Sequence, residues 1–295
     1  MLSYRKLAMR VLGRPLHTGG SDSPRPASQR AAALILTAAM LTTLAVPAFA
    51  DIWYIENGNI TVKAGETGND VTQNNVTTKN DTNTIITNSD KATASSHTVT
   101  IDAEDHKVEV TLDNVNIKAD SGSALASKGD VTLTLKGDNH LTGGNGGDGI
   151  YGGDGITSSG SLTISGGTVT ATGGNSTGSD GSGGSGIYSV SGDVTISGGS
   201  TVTAKGGDGG NFGGGSGITS VGRVAISDGA VTANGGDSKD GDGGYGISSS
   251  GVAISGGTVT ANGGDGGSGS CGGNGIYSSS GVAISGGTVT ANGGD

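Results

Sequence analysis

The chain has 295 residues, of which 62 are Gly and only 3% are aromatic, with a formal net charge of −10. So few large apolar side chains do not fill an ordinary globular core. Glycine without a three-residue period excludes collagen, and the acidic balance lacks the basic face that nucleic acid requires. Disorder, the default for a chain rich in Gly, Ser, Thr and Asp, is opposed by the regular return of Val and Ile.

Residues 1–50 read as a secretory signal peptide. Arg5, Lys6, Arg10, Arg14, Arg25 and Arg30 precede the uncharged apolar run Ala31–Val46, and Ala48-Phe49-Ala50 supplies a small-x-small cleavage site. The run is short for a membrane span and no second one follows, so the mature chain is expected to leave the membrane. This segment holds six of the 16 Lys and Arg and one of the 26 acids, which leaves the remainder at 10 − 25 = −15.

Residues 51–142 are richer in charge and poorer in Gly. Ile52 to Val62 reads as a strand pair around Asn57-Gly58, and Gly65 to Ser96 as an irregular excursion. Thr98–Ile101, Val108–Leu112, Val115–Ile117 and Val131–Leu135 alternate as strands do. This stretch, which begins beside the single Trp53, is expected to cap a stack and form its first, irregular coils.

Residues 143–295 repeat. Ser248–Asp265 and Ser278–Asp295 both read SSSGVAISGGTVTANGGD. Gly-Ile recurs at Gly155, Gly186, Gly217, Gly246 and Gly275, at spacings of 31, 31, 29 and 29 residues. Two further phrases follow in each period: an apolar-x-Ile-Ser run from Leu162, Val194, Val224, Val252 and Val282, and Val-Thr-Ala from Val169, Val202, Val231, Val259 and Val289. Each is β-branched with period two, and Gly pairs mark the corners. The expected fold is all-β: a parallel β-solenoid with about 30 residues per coil, three short strands and a Gly-rich loop. Val and Ile should stack inside, Thr and Ser in ladders outside, and the loops should project as flexible excursions. The series stops after a finished strand, which reads as a truncation at the C-terminus.

Candidate chemistry is sparse. Gly143–Tyr151 matches a calcium-binding nonapeptide, but once rather than in tandem. Asp148, Asp154, Asp208, Asp237 and Asp265 are the candidate ligands for calcium, a hard cation that takes six or more oxygens; the competing reading makes them turn residues. Tyr151, Tyr188, Tyr245 and Tyr277 lie beside Gly-Ile phrases and are candidates for stacking on sugar rings. Thr168-x-Thr170, Thr201-x-Thr203, Thr258-x-Thr260 and Thr288-x-Thr290 resemble the Thr rows of ice-binding solenoids, an analogy weakened by Ala230 and by the expected loops. His97, His106 and His140 show no metal-ligand spacing, and Arg223 is the only arginine after residue 50. Cys271, the sole cysteine, has no intrachain partner and reads as an incidental replacement in a Gly/Ser linker. No acid–base cluster speaks for a polysaccharide lyase or hydrolase.

Lys107–Gly144, with TLDNVNI, Ser123-Ala124-Leu125-Ala126 and VTLTLKGDN, followed by LTISGGTVTATGG up to Gly174, resembles a family of secreted bacterial β-helix proteins described as carbohydrate-binding-domain-containing, of pectate-lyase-like architecture. The resemblance implies a right-handed parallel β-helix at the cell surface, associated with calcium and binding polysaccharide or cell-surface glycan. The expectation is therefore a secreted, non-catalytic glycan-binding module. A structural spacer or stalk is the alternative.

Overall fold

The computed structural model describes residues 51–147, 149–178 and 181–295. The signal-peptide reading falls on residues 1–50 and lies outside them. In chain order the strands are β1 (Ile52–Tyr54), β2 (Ile60–Ala64), β3 (Asn69–Gln73), β4 (Val76–Asp81), β5 (Ile85–Thr87), β6 (Val99–Asp113), β7 (Asn116–Lys118), β8 (Leu125–Thr142), β9 (Ile156–Ser159) and β10 (Leu162–Thr172). The regular coils continue with β11 (Ile187–Ser189), β12 (Val194–Ser197), β13 (Thr201–Lys205), β14 (Ile218–Ile226), β15 (Ala230–Asn234), β16 (Ile247–Ile254), β17 (Thr258–Asn262), β18 (Ile276–Ser278), β19 (Val282–Ile284) and β20 (Thr288–Asn292). Together they wind a parallel β-solenoid of about 8 turns. No helix among the described residues is long and apolar enough to cross a membrane.

Three ladders run up the stack, one for each repeated phrase. On the first face Ile60, Val99, Leu125, Ile156, Ile187, Ile218, Ile247 and Ile276 are consecutive partners. On the second, Val110, Leu133, Ile164, Ile196, Ile226, Ile254 and Ile284 align. On the third, Val169, Val202, Val231, Val259 and Val289 align. Identical residues meet because the period matches the coil, so each side chain lies about 4.8 Å above its counterpart. In one coil Ile187, Val194, Ile196, Val202 and Ala204 are all fully buried. The Val and Ile among them contribute roughly 1.5–3 kcal/mol apiece, which suits a narrow bore. Lower coils fill the third face with Ile117 and Leu141 where upper coils place Ala. At the corner before the third face Gly229 and Gly257 take φ of 91° and 79°, a region that other residues rarely enter.

Several expectations are corrected. β1 and β2 do not pair with each other across Asn57-Gly58; β1 joins β5, and β2 joins β3 and β6. A 3-10 turn at Ile55–Asn57 sends the chain to another face instead. The stretch 65–96 is irregular only in part. It carries β3 and β4, an antiparallel pair turning at Asn74 and Asn75, and β5, which belongs to the stack. Asn and Asp tolerate the left-handed turn conformation, so their density marks a hairpin.

Serine is not confined to the outside. Ser127, Ser158, Ser189, Ser220 and Ser249 form an inward column two residues after the first-face apolar column, all buried. The hydroxyls of Ser158, Ser189, Ser220 and Ser249 donate to corner carbonyls, and that of Ser127 to the Thr157 carbonyl; Ser189 reaches the carbonyls of Gly160 and Gly192 at 3.2 and 3.0 Å, and Ser220 that of Gly192 at 2.7 Å. A buried hydroxyl is tolerated when it is hydrogen-bonded.

The Gly-rich linkers do not project as loose excursions. Each leaves the third face as Gly-Gly and returns to the first as Gly-Gly, and these arms stack as a seam. The amide of Gly184 donates to the carbonyl of Gly174, Gly207 to Gly184, Gly215 to Gly207, Gly236 to Gly215, Gly244 to Gly236 and Gly264 to Gly244, at 2.8–2.9 Å. A Cβ on Gly215 would lie 1.9 Å from the carbonyl oxygen of Gly184, and one on Gly236 2.1 Å from that of Gly207. No side chain fits between these Gly layers, and backbone groups hydrogen-bond them to one another. Length differences between coils fall in the tips beyond the arms and at the corners between the faces, where Ile187 to Val194 is seven residues and Ile247 to Val252 five.

Candidate functional site

The candidate site is the outward side of the first face. Residues alternating with the buried Ile and Ser columns point outward there. One outward column runs Ala126, Thr157, Tyr188, Thr219, Ser248, Tyr277. Tyr188 and Tyr277 are thus in one column, three coils or about 14 Å apart. Tyr245 enters from the glycine arm two residues before Ile247, and its ring stacks on Tyr277 with centroids 5.3 Å apart and planes 21° from parallel. The two remain 36% and 45% exposed, so the pair is an aromatic platform facing solvent. Val190 and Val221, just after Ser189 and Ser220, add exposed apolar surface to the same face. Sequence reasoning missed them, although period two counted from Ile187 and Ile218 directs them outward.

Lower on this face a shallow depression of about 260 Å³ is lined by Thr100, Asp102, Ala126, Lys128, Thr157 and Ser159. Lys128 pairs with Asp102 at 3.5 Å. The fourth candidate tyrosine, Tyr151, stands apart at a linker tip, exposed beside Ile150.

The five candidate cation ligands do not share one place. Asp148 lies outside the described residues. Asp154 sits on a returning arm, where its carboxylate accepts the Thr157 hydroxyl at 2.6 Å and the Ser185 amide at 2.7 Å. Burial pushes its pKa up, against these two hydrogen bonds. Asp208, Asp237 and Asp265 do form one column, with Asn145 and Asn175 below them and Asp295 above. Each Asp Oδ1 accepts the backbone amide of its counterpart one coil up, at 3.2, 2.9 and 2.9 Å. These side chains brace the outer edge of the linkers, a use of Asp close to its ordinary turn chemistry. No group of three or more His, Cys, Asp or Glu among the described residues is arranged to hold a metal ion.

Cys271 is exposed at a linker tip, its amide donating to Asp242 Oδ1 at 2.9 Å. His140 faces outward on β8 opposite Thr170, far in sequence from His106, which lines a cavity of about 320 Å³ beside the first coil with Glu66, Asp81 and Glu109. No family model, no curated protein and no solved structure matches this chain.

Proposed function

We propose that this chain is an exported, non-catalytic β-solenoid that binds a polysaccharide along its first face. The observation that carries this reading is the stacked, exposed Tyr245–Tyr277 pair, whose Tyr277 shares one ladder column with Tyr188. An aromatic face presents apolar area to the flat side of a sugar ring, while its hydroxyl remains hydrated. Thr219 and Ser248 stand between Tyr188 and Tyr277, with Thr157 one coil below Tyr188, and offer hydroxyls to those of a saccharide. A long, open, repeating face suits an extended polymer better than a small molecule, which prefers an enclosing cleft.

A glycan array and pulldowns on insoluble polysaccharides, each with and without a calcium chelator, test the reading. Binding that falls about tenfold, or about 1.4 kcal/mol, in a Tyr245→Ala/Tyr277→Ala variant and persists in Tyr151→Ala supports it. Retention of no glycan by the wild-type chain rejects it, and loss only in chelator identifies calcium as part of the site. A structural stalk is the competing reading, favoured by coils as alike as Ser248–Asp265 and Ser278–Asp295. It requires that no first-face substitution alter any binding.

A further inference from the structure

We infer that the third face of the stack is an ice-binding surface. Two parallel ranks of small side chains point outward from it. One rank is Thr168, Thr201, Ala230, Thr258 and Thr288; the other is Thr170, Thr203, Thr232, Thr260 and Thr290. Every member is the ladder partner of the next, so the spacing along a rank is one coil, about 4.8 Å, and the ranks lie two strand residues apart, about 6.7 Å. The oxygen lattice on the prism face of hexagonal ice repeats at lengths near these two. Threonine is stiff at χ1, so each hydroxyl and methyl is held in place before water arrives.

The hydroxyls are free to take such water. Side-chain hydrogen bonds in the upper coils run through the inward serines and the asparagine and aspartate columns. None joins the nine threonine hydroxyls of these ranks to another described residue. Each keeps one donor and two acceptor positions. No ionisable side chain interrupts either rank. Asp138 and His140 end the array below, where they pair with Thr168 and Thr170.

The borders decide whether the face is flat. On one side stand the corner residues Gly167, Ser200, Gly229, Gly257 and Gly287, with Ser200 fully buried. On the other, the ladder passes through Thr172, Lys205, Asn234, Asn262 and Asn292 directly into Gly-Gly arms. The Gly206 amide still bonds the Asn234 carbonyl, and the Gly235 amide that of Asn262, both at 2.8 Å. The Asn262 and Asn292 amides donate to the Asn one coil below at 2.8 and 2.7 Å, along the stack. Only Lys205 is long. The loops that would have spoiled the surface are glycine layers, and Ala230 leaves a vacancy in one rank rather than an obstruction. This face is separate from the tyrosines, so the inference stands or falls independently of glycan binding.

Nanolitre osmometry of the purified full chain, following the shape of a single ice crystal and the gap between its melting and growth temperatures, tests the assignment. The wild-type chain should facet the crystal and open a gap. Thr203→Lys/Thr232→Lys should abolish both with an unchanged far-UV circular dichroism spectrum, as should Thr258→Tyr, a second variant at the more exposed rank. Thr163→Lys, on the second face, should keep both. Rounded, unhindered growth with the wild-type chain overturns the assignment, as does a gap that survives either third-face variant. Adsorption to microcrystalline cellulose with no effect on ice also overturns it, assigning the face to a crystalline polysaccharide instead.

Discussion

Gly215→Ala tests the glycine seam directly. The new methyl would lie 1.9 Å from the carbonyl oxygen of Gly184, whereas real Cβ contacts essentially never fall below 3.0 Å, so the layers must part by at least 1.1 Å (3.0 − 1.9). They are held at that level by two hydrogen bonds of 2.8 Å, Gly215 amide to Gly207 carbonyl and Gly236 amide to Gly215 carbonyl. Parting them leaves buried backbone groups unpaired at about 1–3 kcal/mol for each bond, a loss of roughly 2–6 kcal/mol in all. Gly147→Ala is the matched control: its Cβ meets nothing within 4 Å. It should be neutral or stabilise by up to about 1 kcal/mol by restricting the unfolded chain. Urea unfolding followed by far-UV circular dichroism should separate the two midpoints by about 0.7 M or more, given slopes of about 1–3 kcal/mol/M. Coincident midpoints would mean that the arms are loosely packed, and the account of the linkers would fail.

Ser189→Ala removes one of the two hydroxyls on each of the Gly160 and Gly192 carbonyls, which keep Ser158 and Ser220, and should cost about 0.5–1.5 kcal/mol in the same assay; an unchanged midpoint would show that the inward serines contribute nothing. Ile218→Ala empties a fully buried position and should cost about 2–5 kcal/mol. Thr219→Ala, its outward neighbour, should stay within about 0.5 kcal/mol, and similar losses at both sites would contradict the inside–outside assignment. For Asp154, burial raises the folded pKa, so the folded chain binds this proton more tightly than the unfolded chain does. That contribution is complete below the unfolded value of about pH 4 and is lost as pH rises through the raised folded value. Asp154→Asn should therefore melt higher than wild type at pH 7 and alike at pH 3; a pH-independent difference refutes the sign.

The columns of Ile and Val were legible because a side chain that must lie over its own counterpart can only recur at the period of the coil. Ile187, Ile218 and Ile247 announce this without any tertiary information. The glycine seam was not legible: Gly206-Gly207 and Gly214-Gly215 carry no side chain by which a partner could be guessed, and by local propensity Gly pairs read as turns. The inward Ser189 was misplaced because polarity was weighed above parity, although two residues after Ile187 is the same side of a strand. The hairpin of β3 and β4 was hidden by its polar composition, since Asn69–Asp81 contains one Val on each strand. At the candidate site, the shared column of Tyr188 and Tyr277 follows from spacing, but the stacking of Tyr245 on Tyr277 required knowing how the returning arm approaches its strand.

The seam also bears on how such a molecule changes over generations. Its layers recognise one another through main-chain groups and a few recurring side chains, so neighbouring coils are nearly interchangeable. Duplicating or excising the 30 residues (278 − 248) that separate the two identical segments would leave each flanking coil beside a surface it already fits. Perfect identity is what a recent tandem duplication leaves in a gene. The height of the molecule can therefore be tuned in whole steps of about 4.8 Å while the width of every face stays the same.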